Sequence, residues 1–203
     1  MANKAQDKKA LFEIFSGALV TFYEQKGTVA EVQDEEVLAL KAMAEAVVQR
    51  NPEHLQANLT LAQAFNSKFF KKPERALPYF KKVHSIDPHF DEIDLELGYC
   101  AYELAIDCDD MKGALADKSQ DYYQLVHVSL SRAMEKFPND SESLFMLGFT
   151  KMRLGQAEEG AQLIKRSIQD VDLSVYNKEI GFLITNMQLT ARKVENKLSI
   201  GRE

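Results

Sequence analysis

The residues best suited to chemistry cluster at a turn near the middle of the chain. They are two histidines and two aspartates around a proline: His84, Asp87, Pro88, His89 and Asp91. Imidazole and carboxylate groups are ligands that zinc prefers, so a metal site is one interpretation of this group. Their order, however, matches none of the recognised spacings of zinc ligands. We therefore predict solvated turn residues here and no bound metal.

Two cysteines are the other reactive side chains. Cys100 and Cys108 are too few for the disulfide framework of a secreted protein, and both fall in one predicted helical region. Asp109 and Asp110 follow Cys108 directly, and their negative charge disfavours a thiolate and hence a nucleophilic role. We expect two free thiols, the usual state in a reducing compartment, and predict a cytoplasmic protein.

Composition and motifs argue against several classes of function. The chain of 203 residues carries a formal net charge of −6, whereas binding of nucleic-acid phosphates needs a basic face. No apolar run approaches the roughly 20 residues that span a bilayer, so we predict no membrane insertion. The sequence contains no glycine-rich phosphate loop, no HExxH or CxxC motif and no strand pattern for a nucleophile elbow. We predict no enzymatic activity, no cofactor and no nucleic-acid partner.

The elements that must position these residues are predicted to be helices, because apolar residues recur along the chain with helical periodicity. Between residues 10 and 26, apolar side chains recur at three- and four-residue steps, which predicts a helix. Thr28 and Asp34 are alternative starts for the second helix. The dipeptide Asn51-Pro52 closes this pair of helices, because the residue before a proline is disfavoured in the helical conformation.

The following segment, residues 55–90, pairs large apolar residues with small ones in two successive helices. The positions that form the pattern are Leu61, Ala62, Phe65, Ala76, Phe80 and Val83, followed by Asp87-Pro88. This order resembles the tetratricopeptide repeat, a helical hairpin of about 34 residues. The same resemblance extends to residues 141–168 through the Leu147-Gly148 pair, and to residues 91–140 through Leu97-Gly98.

The resemblance implies an all-α fold, an α-solenoid of antiparallel helix hairpins. About four hairpins and a C-terminal capping helix would make residues 10–203 a single domain after an N-terminal tail, residues 1–9. The predicted boundaries are 10–54, 55–90, 91–140 and 141–172 for the hairpins and 175–198 for the capping helix. The apolar stripe of that last helix consists of Ile180, Leu183, Met187, Ala191, Val194 and Leu198.

The third hairpin is longer than the repeat requires. Pro52, Pro88 and Pro138 are separated by 36 and 50 residues, against a repeat of about 34. We place the excess around residues 105–122, where it would lengthen each helix by about two turns. An enzyme in which this arm closes over a small-molecule site is an alternative that no motif supports.

In tetratricopeptide proteins, the first helix of each hairpin lines a concave groove that binds the partner. The resemblance therefore implies a groove with an apolar and aromatic floor. Its predicted partner-binding residues are Gln56, Leu59, Gln63, Asn66, Leu95, Tyr99, Tyr102, Phe145, Phe149, Met152 and Arg153. Only Asn66 and Arg153 have the chemistry with which family members bind a chaperone's carboxylate tail, so we expect a different ligand. We predict a non-catalytic adaptor or assembly chaperone that binds a peptide or helix with apolar anchors and basic flanks.

Two alternatives stand beside this prediction. First, the aromatic residues would be core if the terminal helix or a second copy covered them, since ring stripes at helical spacing are usually buried. Second, residues 68–82 carry six bases and one acid, while residues 91–110 carry eight acids and no base. These are either two solvated faces, or the basic segment docks an acidic partner or orients a head-to-tail contact between copies. The alternative function is therefore a self-assembling scaffold, a homo-oligomer that stacks through complementary hairpins.

Overall fold

The computed structural model describes residues 2–90, 92–110 and 114–168, and all regular structure within these ranges is helical. The α-helices are α1 (Ala2–Lys26), α2 (Asp34–Arg50), α3 (Leu55–Asn66), α4 (Pro73–Ile86), α5 (Ile93–Asp110), α6 (Ala114–Lys136), α7 (Ser141–Arg153) and α8 (Ala157–Ser167). None of the helices in these ranges is long and apolar enough to cross a bilayer. The capping helix predicted at 175–198 lies outside the described residues, as do residues 111–113 within the extra segment predicted around 105–122.

Helix α1 begins earlier than the apolar periodicity indicates, at Ala2. The added residues are mainly alanine, lysine and glutamine, which favour helix but carry no apolar stripe, so the pattern does not detect them. Of the two predicted starts for the second helix, Asp34 is the one that begins it, and Thr28 begins a separate short turn instead. Thr28 caps a short 3-10 turn by accepting a hydrogen bond from the Ala30 N–H at 3.2 Å, and Asp34 then begins α2.

The chain forms two compact units, residues 1–93 and 94–203. In unit 1, helix α3 packs against α1, α2 and α4. The interior consists of small and large apolar side chains, most of them at positions where helical periodicity predicts burial. The side chains that are at most 1% exposed include Leu19, Val29, Ala44, Val47, Leu61, Phe65, Ala76, Phe80 and Val83. Burial of this apolar surface is the main stabilising contribution to unit 1.

His54 joins the start of α3 to α1. Its Nδ1 accepts the Ala57 N–H at 3.2 Å and thereby caps the helix, while its Nε2 lies 2.6 Å from Ser16 Oγ. Because Nδ1 must be unprotonated to accept, Nε2 carries the proton and donates it to Ser16. Burial lowers the pKa of His54 and so favours this neutral form, although an interaction with the backbone of His54 itself acts in the opposite direction.

In unit 2, helices α7 and α8 approach closely where two glycines face each other. A Cβ on Gly148 would lie 2.7 Å from the carbonyl oxygen of Gly160, and a Cβ on Gly160 would lie 2.4 Å from that of Gly148. A side chain at either position would therefore separate the helices. Beside this crossing, the buried residues Ala101, Val126 and Leu130 pack with Leu147 to form a core for α5, α6 and α7.

Candidate functional site

Four aromatic rings gather in unit 2, from three different helices. Phe149 of α7 is at their centre: its ring centroid lies 6.0 Å from that of Tyr102 on α5, 6.5 Å from that of Phe145 and 6.3 Å from that of Tyr123 on α6. The first of these contacts is edge to face, with an interplanar angle of 79°. Rings at these separations attract one another beyond the effect of burial alone. We call Tyr102, Tyr123, Phe145 and Phe149 the ring cluster.

The ring cluster has a buried base and a partly open outer edge. Tyr123 is 0% exposed, whereas Tyr102, Phe145 and Phe149 are only half-buried. Burial raises the pKa of Tyr102 to about 12, so its hydroxyl stays protonated and neutral. Tyr123 is therefore core, and the other three rings present part of their surface; the terminal helix that was the alternative cover for the predicted rings lies outside the described residues.

Three acidic side chains lie in the same part of unit 2: Glu103 and Asp107 on α5, and Glu142 at the start of α7. Burial, and then the charges of Asp107 and Glu142, raise the pKa of Glu103. Burial, and then the charge of Asp140, raise the pKa of Glu142. None of the three forms an ion pair with a base in the described ranges. In the described ranges, like charges thus accumulate without a neutralising partner, which disfavours the ionised forms of Glu103 and Glu142.

Tyr99 differs from the ring cluster because its hydroxyl is engaged within the protein. It donates to Asp140 Oδ2 at 2.8 Å and lies 3.1 Å from Ser143 Oγ. Asp140 is also the N-cap of α7 and accepts the Ser143 N–H at 2.8 Å. Burial alone would raise the pKa of Asp140, but the hydrogen bonds from Ser143 and Tyr99 outweigh it and hold that pKa below its ordinary value. Tyr99 therefore positions α7 against α5.

Replacing Asp140 with alanine should lower the free energy of unfolding by about 1 kcal/mol, the typical value for loss of a helix cap. Asp140→Asn should restore most of this, because an amide oxygen can accept the same two hydrogen bonds. Since the pKa of Asp140 is lowered on folding, the carboxylate's contribution is present above pH 3.8 and is lost as pH falls through the folded pKa. Urea denaturation measures both variants, and equal stability of the alanine and asparagine proteins would contradict the capping role.

Arg153 is held by an internal ion pair. Its Nη2 lies 2.7 Å from Asp109 Oδ2, and its guanidinium lies 5.7 Å from the centroid of the Tyr123 ring. Tyr123 donates its hydroxyl to the same carboxylate at 2.6 Å. Burial tends to raise the pKa of Asp109, but hydrogen bonds from Tyr123, Ser119 and Arg153 lower it below its ordinary value. The charge of Arg153 is therefore partly neutralised, and its ion pair with Asp109 connects α7 to the C-terminal end of α5.

Two other predicted residues of unit 2 contribute mainly to packing. Leu95 is half-buried against the core formed by Ala101, Val126, Leu130 and Leu147. Met152 is half-buried beside the glycine crossing, and a Cβ on Gly160 would lie 2.6 Å from its Cγ. Of the seven predicted residues in unit 2, the structure thus brings Tyr102, Phe145 and Phe149 together as a partly open surface.

The four predicted residues of unit 1 lie along α3. Leu59 is 2% exposed and offers almost no surface to a partner. Gln63 uses its Oε1 to accept hydrogen bonds from Tyr23 Oη and the Val29 N–H, both at 3.1 Å. Gln56 is half-buried, and so is Asn66, whose Oδ1 has no hydrogen-bond donor in the described part of the chain. Within unit 1, Gln63 therefore joins α3 to α1 and to the turn at Val29, and Leu59 is part of the buried interior.

His84 lies in the last turn of α4, and Asp87, Pro88 and His89 belong to the turn that follows the helix. Asp87 Oδ1 accepts the backbone N–H of His89 at 3.0 Å, and both His89 and Pro88 are exposed. In the ranges that the structure describes, no three histidine, cysteine or acidic side chains are grouped to hold a metal ion. Asp91 lies outside those ranges.

Sequence reasoning missed one ring and the roles of the acids around it. Tyr123 follows the extra residues of the third hairpin, where the repeat gives no register from which to predict a facing partner. Glu103 and Asp107 were visible only as members of the acidic run 91–110. A helical projection of α5 would have shown them four residues apart and therefore on one face.

Comparison with known proteins identifies the fold. No family model matches the sequence, and no curated protein matches it either. The chain is similar to a solved structure titled "Crystal structure of MamA protein", with a TM-score of 0.56 and 15% sequence identity. The match covers 92% of this chain and 89% of that one. The similarity confirms the predicted fold class, an all-α solenoid of helical hairpins of the tetratricopeptide-like type.

Proposed function

We propose that this protein is a non-catalytic interaction module, an adaptor or assembly chaperone, and that unit 2 carries its binding surface. The bound element is a peptide or helical segment of another protein, with apolar anchors and basic flanks. One observation carries the proposal: the half-buried rings of Tyr102, Phe145 and Phe149 lie in the same unit as three acids without a described ion-pair partner. The tetratricopeptide-like fold supports a protein-interaction role in general.

The rings supply the apolar part of such an interface. Aromatic side chains dominate binding energetics because they bury a large area at a small cost in conformational entropy. Phe149 is held by contacts to rings from two other helices, so it would lose little freedom when a partner covers it. A surface that is already ordered in this way is suited to accept an anchor residue.

The acids supply selectivity. Glu103 and Glu142 have raised pKa values because burial and neighbouring acids disfavour their charged forms. A lysine or arginine of the partner would relieve this repulsion, whereas an acidic partner would increase it. The electrostatic effect would act more on the rate of association than on the final affinity.

A carboxylate-tail ligand is disfavoured by the same geometry. Arg153 is paired with Asp109 at 2.7 Å, so binding an external carboxylate would require breaking an existing ion pair. Asn66 belongs to unit 1 and is half-buried. The binding surface that we propose therefore recognises apolar anchors and cations.

Fluorescently labelled synthetic helices test the proposal directly. The probe carries leucine and phenylalanine anchors on one face and lysines at both ends, and fluorescence anisotropy measures its binding. One control peptide has glutamates in place of the lysines, and a second has alanines in place of the anchors. Both changes should weaken binding, because one removes the positive charges that the acids attract and the other removes the apolar anchors that the rings contact. Equal binding of all three peptides, or of none, would refute the proposed specificity.

Replacing Glu103 and Glu142 with glutamine should change stability and binding in opposite directions. Because the pKa values of both groups are raised on folding, their ionisation costs stability as pH rises above the ordinary value of 4.5. At pH 7 the double variant should therefore be slightly more stable, by less than about 1 kcal/mol. It should also bind the lysine-flanked helix about tenfold more weakly.

The matched control changes the net charge equally, at exposed glutamates elsewhere: Glu24→Gln with Glu135→Gln. This control should leave binding of the lysine-flanked helix nearly unchanged. Thermal denaturation and anisotropy measure the two effects on the same samples. If both double variants weakened binding equally, net charge would account for the effect and the acids of unit 2 would have no specific role.

A further inference from the structure

The turn between α3 and α4 in unit 1 is a closed, hydrogen-bonded structure. Ser67 Oγ donates to the carbonyl of Ala64 at 2.7 Å, and the Ser67 carbonyl accepts the Lys71 N–H at 2.9 Å. The Lys72 N–H then returns to the carbonyl of Phe65 at 2.8 Å. Residues 67–72 are therefore presented in one defined conformation. We call this segment the basic turn.

An aromatic side chain is exposed on the basic turn. The Phe70 ring packs inward against Phe65, with a centroid separation of 5.9 Å. Phe69 stands perpendicular to Phe70, with centroids 4.8 Å apart and an angle of 90° between the planes. Phe69 is 43% exposed and is among the most exposed large apolar residues of the described chain. Contact of this apolar ring with water is unfavourable, and the folded chain does not remove that cost because it leaves the ring partly exposed.

Lysines surround this ring. Lys68, Lys71 and Lys72 are all exposed, and none forms an ion pair with an acid in the described ranges. Arg75 follows in the first turns of α4, also exposed, with its guanidinium 4.0 Å from the centroid of the Phe65 ring. The segment thus combines one solvent-exposed ring with a concentrated positive charge.

We propose that the basic turn docks this protein onto anionic membrane surfaces, with Phe69 entering the interfacial layer and the lysines contacting the lipid headgroups. An aromatic ring is stable at the level of the headgroups, and each lysine close to an anionic surface strengthens binding about fivefold. The attachment is peripheral and reversible, since one ring and a few lysines give only moderate affinity.

Lysine rather than arginine at the tip favours a lipid surface over an acidic protein. Protein interfaces are enriched in arginine and depleted in lysine, whereas clusters of lysine bind anionic lipids without a defined geometry. The net charge of −6 does not prevent docking, because charges more than about 8 Å from the membrane are largely screened at physiological salt. The inference concerns unit 1 and is independent of the binding surface proposed on unit 2.

Tryptophan fluorescence tests the proposal, because the natural chain contains no tryptophan. A full-length Phe69→Trp variant carries a single probe at the tip of the basic turn. With phosphatidylcholine vesicles that contain phosphatidylserine, its emission should shift to the blue, and high salt should reverse the shift. Vesicles of phosphatidylcholine alone should produce little change. Val128→Trp, at a position that is 49% exposed in unit 2, should show no shift with either kind of vesicle.

The role of the lysines is tested in the Phe69→Trp background. Changing Lys68, Lys71 and Lys72 to glutamine should weaken binding to the anionic vesicles at least about tenfold. A control with the same loss of charge replaces three exposed lysines elsewhere, Lys9, Lys26 and Lys118, and should retain most of the binding. Equal losses in both triple variants would overturn the proposal.

Each of the following outcomes would also overturn it: no shift with anionic vesicles, an equal shift with neutral vesicles, or an equal shift with a soluble polyglutamate peptide. The last would assign the basic turn to an acidic protein partner. A shift that depends on protein concentration without vesicles would assign it to a second copy of the chain. Circular dichroism of each variant serves as the control for folding, so that a negative result cannot be attributed to an unfolded protein.

Discussion

Replacement of Phe65 by alanine should lower the free energy of unfolding by about 3–5 kcal/mol. The side chain is 1% exposed, and its ring stacks on Tyr79 with a centroid separation of 5.9 Å. Lys41 Nζ and the Arg75 guanidinium lie 5.4 Å and 4.0 Å from its centroid. The alanine variant would leave a cavity and remove the surface on which both cations rest.

Two further substitutions separate the contributions to this effect. Phe65→Leu fills much of the cavity but cannot form the stacking or cation–π contacts, so its loss of stability should be intermediate. Phe69→Ala removes a neighbouring phenylalanine that is 43% exposed and should change stability by no more than about 0.5 kcal/mol. Urea denaturation at fixed pH measures all three. A loss for Phe65→Ala no larger than that for Phe69→Ala would contradict the central position of this ring.

A side chain on Gly148 should destabilise the protein by about 1–3 kcal/mol, even though alanine favours helix. The new Cβ would lie 2.7 Å from the Gly160 carbonyl oxygen and 3.0 Å from the Ile164 nitrogen. Both are backbone atoms of α8, so they can move only if the whole helix moves. Because α7 also carries Phe145 and Phe149, its displacement should weaken binding of the lysine-flanked helix as well.

Gly17 provides the matched control, since it lies within α1 and a Cβ there would meet nothing within 4 Å. Gly17→Ala should therefore stabilise the protein by about 0.5–1 kcal/mol through helix propensity alone. Thermal denaturation of the two variants should give shifts of opposite sign. If Gly148→Ala were as stabilising as Gly17→Ala, the close crossing of α7 and α8 would be wrong.

Helix positions and most of the buried faces were predictable because both depend on local sequence, although Leu11 and Ile14, on the predicted apolar stripe of α1, are 47% and 64% exposed. Apolar residues at three- and four-residue spacing identify the side of a helix that must leave water, whatever the neighbouring helix is. Leu61, Ala76, Phe80 and Val83 were predicted on this basis, and each is at most 1% exposed. Proline turns ended the helices as predicted, with α4 stopping at Ile86 before Asp87-Pro88.

The candidate site was only partly predictable, because the spacing of residues does not reveal which groups on different helices bond to each other. Tyr99 and Phe149 looked equivalent in sequence, yet Tyr99 is hydrogen-bonded to Asp140 while Phe149 is the centre of the ring cluster. Leu59 and Gln63 were predicted to contact a partner, but Leu59 is 2% exposed, and Gln63 Oε1 accepts hydrogen bonds from Tyr23 Oη and the Val29 N–H. Which side chains of two helices meet depends on how the helices are rotated and shifted against each other, to within a fraction of a helical turn.

By itself, therefore, the amino-acid sequence determined that this protein is an array of helical hairpins with aromatic side chains on α5 and α7 and opposite charges on successive segments. Only the tertiary structure decided which rings are core and which are surface, that Arg153 is paired with Asp109, and that α7 and α8 touch through two glycines. The physical reason is that burial follows from local periodicity, whereas hydrogen bonds, ion pairs and backbone crossings require atoms of distant residues to meet within about 3 Å.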